Sequence, residues 1–170
     1  MKLRWWYGIV LNLVLAALVI SGAVFYRVNI KNGYGKNETG SILEIRDASS
    51  GKVYGKWPIS ETEEFSIEFV HSVNQSPVRE TFRTEGTVIR PVSVHFTSFG
   101  AGMRSDLEEG QTLTRDGDFM VISGFSTSFD SLKYIIGTIS DHLLYINSQI
   151  ISLRDLCGRN AHITIRCRRK

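Results

Sequence analysis

An imidazole and a carboxylate facing each other on an apolar strand surface can hold a ligand, pass a proton or take a metal. The stretch FSIEFVHSVNQSPVRETF, Phe65 to Phe82, offers such a pair in His71 and Glu80. It alternates on both sides of Asn74-Gln75-Ser76-Pro77, residues that favour turns, and so reads as a β-hairpin. With those residues as the loop, Val73 faces Val78, His71 faces Glu80 and Phe69 faces Phe82 on one side of the sheet. On the other side Ser72 faces Arg79, Val70 faces Thr81 and Glu68 faces Arg83. This register makes one face apolar and the other polar, with His71 and Glu80 in the middle of the apolar one. Two readings stand side by side: a ligand, proton or metal site, and a mutually satisfied buried pair that fixes strand register.

The second candidate is Ser98-Phe99-Gly100-Ala101-Gly102. Gly100 and Gly102 around Ala101 allow backbone amides to turn toward an anion such as a carboxylate, and Ser98 could add a hydroxyl. The alternative is a bulge or a tight corner. Other chemistries are disfavoured. Ser72 follows His71 directly and points to the opposite face, and no Gly-x-Ser-x-Gly elbow occurs, so a serine hydrolase does not fit. No Gly-x-Gly-x-x-Gly opens a helix, which argues against nucleotide binding. His71, His95, His142 and His162 are not at ligand spacing and no calcium loop is present, so neither a metal nor a cofactor is expected. With 20 basic and 17 acidic residues, the net charge of +3 is too small to argue for nucleic acid.

The elements that would position these residues read as strands. Ile42–Arg46 and Lys52–Trp57 flank a turn at Asp47–Gly51, and the key hairpin follows. Thr87–Thr97 is rich in β-branched residues, with Pro91 calling for an edge position or a bulge. Asp116-Gly117 marks a hairpin, and strands follow at Tyr134–Ile139, Leu143–Ile146 and Ile150–Ile151. Ser152–Leu156 suits a single helical turn, and Ala161–Arg168 closes the domain as a strand. Roughly nine to eleven short strands at this spacing predict an all-β, antiparallel β-sandwich or barrel.

Ahead of this domain, Lys2 and Arg4 precede an apolar run from Gly8 to Phe25 bordered by Trp5, Trp6, Tyr7 and Tyr26. As a helix the run is about 27 Å long, the thickness of a bilayer's hydrocarbon layer. Residues 1–28 are therefore expected to be a transmembrane signal anchor, with a cleaved signal peptide ending near Ser21-Gly22-Ala23 as the competitor. Residues 29–41 read as a linker and 42–170 as a β-domain outside the cytoplasm of a single-pass membrane protein. In that compartment Cys157 and Cys167 could pair, closing a loop worth about 3 kcal/mol, or serve as small buried hydrophobes. Arg166, Arg168, Arg169 and Lys170 could meet anionic lipid or simply protect an edge.

Phe69-Val70-His71-Ser72-Val73, then Pro77-Val78 and Glu80, then Ser98-Phe99-Gly100-Ala101-Gly102-Met103, together resemble the domain of unknown function 1850 family of uncharacterised bacterial proteins. The resemblance runs over nearly all of the chain after the apolar run, including Ser152-Leu153-Arg154-Asp155-Leu156 near the end; Arg104 stands where the family usually has proline. The genes of that family often sit beside those of TAXI-type TRAP transporters. The resemblance thus implies an accessory to a TRAP-type uptake system, handling a small carboxylate or docking on the permease or its binding protein. Two alternatives remain: a cell-surface enzyme or metal-binding protein using His71 and Glu80, and an envelope scaffold without a ligand site.

Overall fold

Alternation along the strands turns one face of each toward apolar neighbours, and the computed structural model assembles those faces into two antiparallel sheets. Residues 40–73, 75–97 and 106–170 are described; the expected anchor, most of the linker and the Ser98–Gly102 loop lie outside them. Among the described residues no helix is long and apolar enough to cross a membrane. The strands are β1 (Ser41–Asp47), β2 (Val53–Ile59), β3 (Glu64–Val70), β4 (Pro77–Glu85), β5 (Val88–Phe96) and β6 (Thr112–Asp116). They continue with β7 (Phe119–Ser123), β8 (Leu132–Ile135), β9 (His142–Ile146), β10 (Gln149–Ser152) and β11 (His162–Arg169). Among the described residues one short helix, α1 (Leu153–Cys157), precedes β11, and the Ser152 hydroxyl caps it by accepting the Asp155 N–H.

The smaller sheet runs β2-β1-β11-β8 and the larger β10-β9-β3-β4-β5-β7-β6. Between them lies one apolar cluster: Leu43 and Ile45 of β1 and Ile163 and Ile165 of β11 meet Phe65, Ile67, Phe82, Ile89 and Leu144 from the larger sheet. This arrangement is a β-sandwich. Cys157 and Cys167 are free thiols packed into or against the cluster, where burial pushes both up to about 11.

The key hairpin forms, but in another register. Phe69 faces Val78, Ile67 faces Glu80 and Phe65 faces Phe82, so the turn spans 71–76 instead of 74–77. Pro77 is the first residue of β4, a position that needs no ladder N–H. The two registers differ by an even number of residues and keep the same side chains on the same faces, so the hydrophobic pattern could not tell them apart. The observed one stacks Phe65 on Phe82 at 5.4 Å and makes two cross-strand ion pairs, Glu68–Arg79 and Glu64–Arg83, where the expected one made only Glu68–Arg83. Phe69 is thereby released to stack on His142 at 5.1 Å.

Proline chemistry explains β5. It is an interior strand between β4 and β7, and its pairing with β4 shifts so that Thr81 meets Ser93 while Phe82 meets Pro91. Pro91 thus sits at a bulge, one of its two expected places. Asn147 and Ser148, at φ 51° and 60°, make the two-residue turn between β9 and β10, with the positive φ at both positions that a type I′ hairpin requires. Between β6 and β7 the turn residues are Gly117-Asp118, one position later than expected, with Gly117 at φ 59°.

Candidate functional site

The even-numbered residues of β4 point between the sheets: Val78, Phe82 and Thr84 are buried, and Glu80 shares their face. Its neighbours on either side, Ile67 and Val94, are apolar. From the opposite sheet Tyr134 of β8 reaches across and donates its hydroxyl to Glu80 Oε2 at 2.5 Å. Burial pushes the Glu80 carboxyl above its ordinary range, and the Tyr134 hydrogen bond only partly offsets this. Tyr134 is itself driven well above the usual phenol range by burial and by the adjacent carboxylate. The phenol therefore stays a donor.

An open cleft of about 650 Å³ surrounds this pair, where β8 faces β4, β5 and β7. Phe82, Pro91, Val94, Ile122, Phe129 and Leu132 give it apolar walls, while Asp106 and Glu108 are the further acidic residues lining it; Lys133 borders it through β8, with its side chain alternating to the outer face. The bulge at Pro91 belongs to this wall, so the irregularity in β5 shapes the site. A carboxyl group at the base of an apolar cleft can orient a ligand through one strong hydrogen bond while the walls supply most of the contact.

His142 completes the neighbourhood. Its ring lies edge-on to Tyr134 at 6.1 Å and stacks on Phe69. Nδ1 accepts the Gly137 N–H at 3.3 Å, which leaves the ring proton on Nε2. Gly137 permits the tight connection after β8, since a Cβ there would collide with the Ser140 carbonyl oxygen. Burial holds His142 below the usual imidazole range, with Asp141 pulling weakly the other way. Asp141 in turn fixes the start of α1 by accepting from the Ser152 hydroxyl at 2.5 Å and the Arg154 N–H at 3.0 Å.

His71 and Glu80 are not brought together. His71 follows the end of β3, about 13 Å along an extended chain from the residue that faces Glu80. Its backbone closes the turn through bonds with Ser76 and Gln75, and its Nδ1 accepts the Val73 N–H at 3.4 Å. The His71/Glu80 pairing is therefore corrected: Glu80 lines the cleft with Tyr134, and the nearby imidazole is His142. Ser98, Gly100, Ala101 and Gly102 fall outside the described residues. Among the described residues no group of three or more His, Cys, Asp and Glu side chains could hold a metal ion. Sequence reasoning missed Tyr134 and His142; alternation around Tyr134 marked a strand, but nothing local joins it to a residue 54 positions earlier.

Residues 65–153 match the model of a family described as a domain of unknown function, DUF1850. The match takes in β3 to β10, including Glu80, Tyr134, His142 and the cleft walls. No curated protein and no solved structure matches the chain.

Proposed function

Because the chain belongs to the DUF1850 family, whose description assigns no activity, we propose that it is a binding module that takes a small molecule into the cleft between its sheets. Glu80 carries this reading. A carboxyl group placed among apolar side chains and satisfied by a single phenol is costly for folding alone, and a ligand that completes its hydrogen bonding recovers that cost. With Glu80, Asp106 and Glu108 as its acidic groups, the lining best suits an apolar body ending in an ammonium, amide or hydroxyl donor. A small carboxylate, the class implied by the family resemblance, is the second reading. It is favoured by the raised proton affinity of Glu80, which would let a neutral carboxylic acid hydrogen-bond to a ligand carboxylate. In the cell the module works outside the cytoplasm, tethered by its N-terminal apolar run, as an accessory of a TAXI-type TRAP uptake system.

Thermal unfolding of the full chain with panels of small amines, amides and carboxylates tests the binding. A ligand at a hundred times its Kd stabilises the native state by about 2.7 kcal/mol. The stabilising compound must lose its effect in Val94→Trp, which fills the cleft from its wall. Stabilisation by no panel, or equal stabilisation of Val94→Trp, would refute the binding reading. Uptake unaltered in cells lacking the gene would remove the transport role while leaving binding intact.

A further inference from the structure

The outward faces of the two sheets treat charge differently. On the larger sheet, Arg79 pairs with Glu68 at 2.5 Å, Arg83 with Glu64 at 3.1 Å and Arg90 with Glu85 at 2.6 Å, one cation to each carboxylate. On the smaller sheet, Arg46, Lys56, Arg168 and Arg166 converge on Glu44 alone, at 2.9, 3.2, 3.5 and 3.6 Å. Glu44 and its cations come from three adjacent strands: Lys56 and Arg166 stand opposite Glu44, and Arg168 is opposite Ile42. Lys133 of β8, opposite Thr164, extends the same face. Glu44 can neutralise only one of these charges. Its effect is to fix the others in place, itself only 2% exposed while the Lys56 and Arg168 side chains are each 55% exposed. The result is a cluster of cations held around one carboxylate, with Lys133 beside it on the fourth strand.

We propose that this face docks on the anionic phospholipid headgroups of a membrane. Cations drawn from four adjacent strands spread over about 14 Å across the sheet, an area that suits a lipid surface better than one small anion. The ends of the sheet agree with this assignment. Ser41 pairs with Arg169, and the Lys170 N–H bonds to the Gly40 carbonyl at 3.2 Å, so the last basic residues lie where the β-domain begins. The apolar run expected to enter the bilayer ends at Phe25, and residues 26–39 can extend at most about 50 Å. A lipid surface is then always within reach, and tethering converts weak charge attraction into stable docking. The proposal rests on the membrane-tethered reading, and its test separates the two.

The full chain is reconstituted into nanodiscs of phosphatidylcholine alone or with phosphatidylglycerol, and acetylation of Lys56 and Lys133 is followed by mass spectrometry. Recovery with the discs reports the tether; labelling reports docking. Phosphatidylglycerol should slow labelling of both lysines on the order of tenfold, with Lys52 unchanged. High salt should restore labelling, because these charges are screened within a Debye length. Arg166→Gln/Arg168→Gln should weaken the protection, and the salt arm needs no variant. Equal labelling in both discs overturns the docking while leaving the tether. A chain that binds neither discs nor free phosphatidylglycerol vesicles overturns both. Protection seen only in native membranes assigns the face to an acidic protein and overturns the lipid assignment.

Discussion

Glu44 and Glu80 both lie on strands, the first buried and the second half-buried, and their surroundings push them in opposite directions. Glu44 is covered by the side chains of Arg46, Lys56, Arg166 and Arg168; the Arg46 hydrogen bond first, helped by Lys56, holds its carboxyl down to about 2 against the cost of burial. Glu80 is half-buried among apolar side chains of the cleft and has the neutral Tyr134 hydroxyl as its partner, so burial dominates and its carboxyl rises. What surrounds a buried carboxylate, more than burial itself, sets its charge. The first arrangement suits a structural anchor. The second suits a site.

Glu44→Ala should give the largest effect, because it leaves four cations without their shared partner. These cations reach solvent, so the loss should fall between that of an exposed pair and that of a buried one, about 2 kcal/mol in chemical denaturation, with part recovered in high salt. Tyr134→Phe comes next, at about 1–2 kcal/mol, since it leaves the Glu80 carboxyl without its donor. Equal losses with the same salt response in both variants would erase the contrast.

The pH dependence sharpens it. Glu44 has a depressed value in the fold, so its contribution is complete above about 4.5 and is lost as pH falls toward about 2. That limb should amount to about 1–2 kcal/mol after screening by solvent, and it should be missing in Glu44→Gln. Glu80 has a raised value, so its protonated form favours the fold; stability declines as pH rises from 4.5 through its folded value. Glu80→Gln should flatten that decline. The smallest expected effect is Glu80→Gln at neutral pH, within about 0.5 kcal/mol of wild type or above it, because the amide still accepts from Tyr134 and carries no charge to bury.

The sequence marks what is local. Alternation located β1, β4, β9 and β11 to within a few residues, and Pro91 took the bulge, one of the two places it called for. Sliding β3 past β4 by an even number of residues left every side chain on its proper face, so local pattern could not fix the register. The choice came from Phe69 meeting His142 of β9, beyond the hairpin, and from a second ion pair within it at Glu64–Arg83. Glu80 was legible as an odd residue on an apolar face, while its partner Tyr134 lay on the other sheet. The Glu44 cluster was equally hidden, because Ile-Leu-Glu-Ile-Arg reads as an ordinary solvated strand until β2 and β11 bring their cations beside it.

The most direct test is an NMR titration of the full chain with glutamate labelled at its carboxyl carbon, assigning the two resonances through Glu44→Gln and Glu80→Gln. Glu80 should titrate above 4.5 and Glu44 near 2. Both resonances titrating together near 4.5, or in the reverse order, would contradict that contrast.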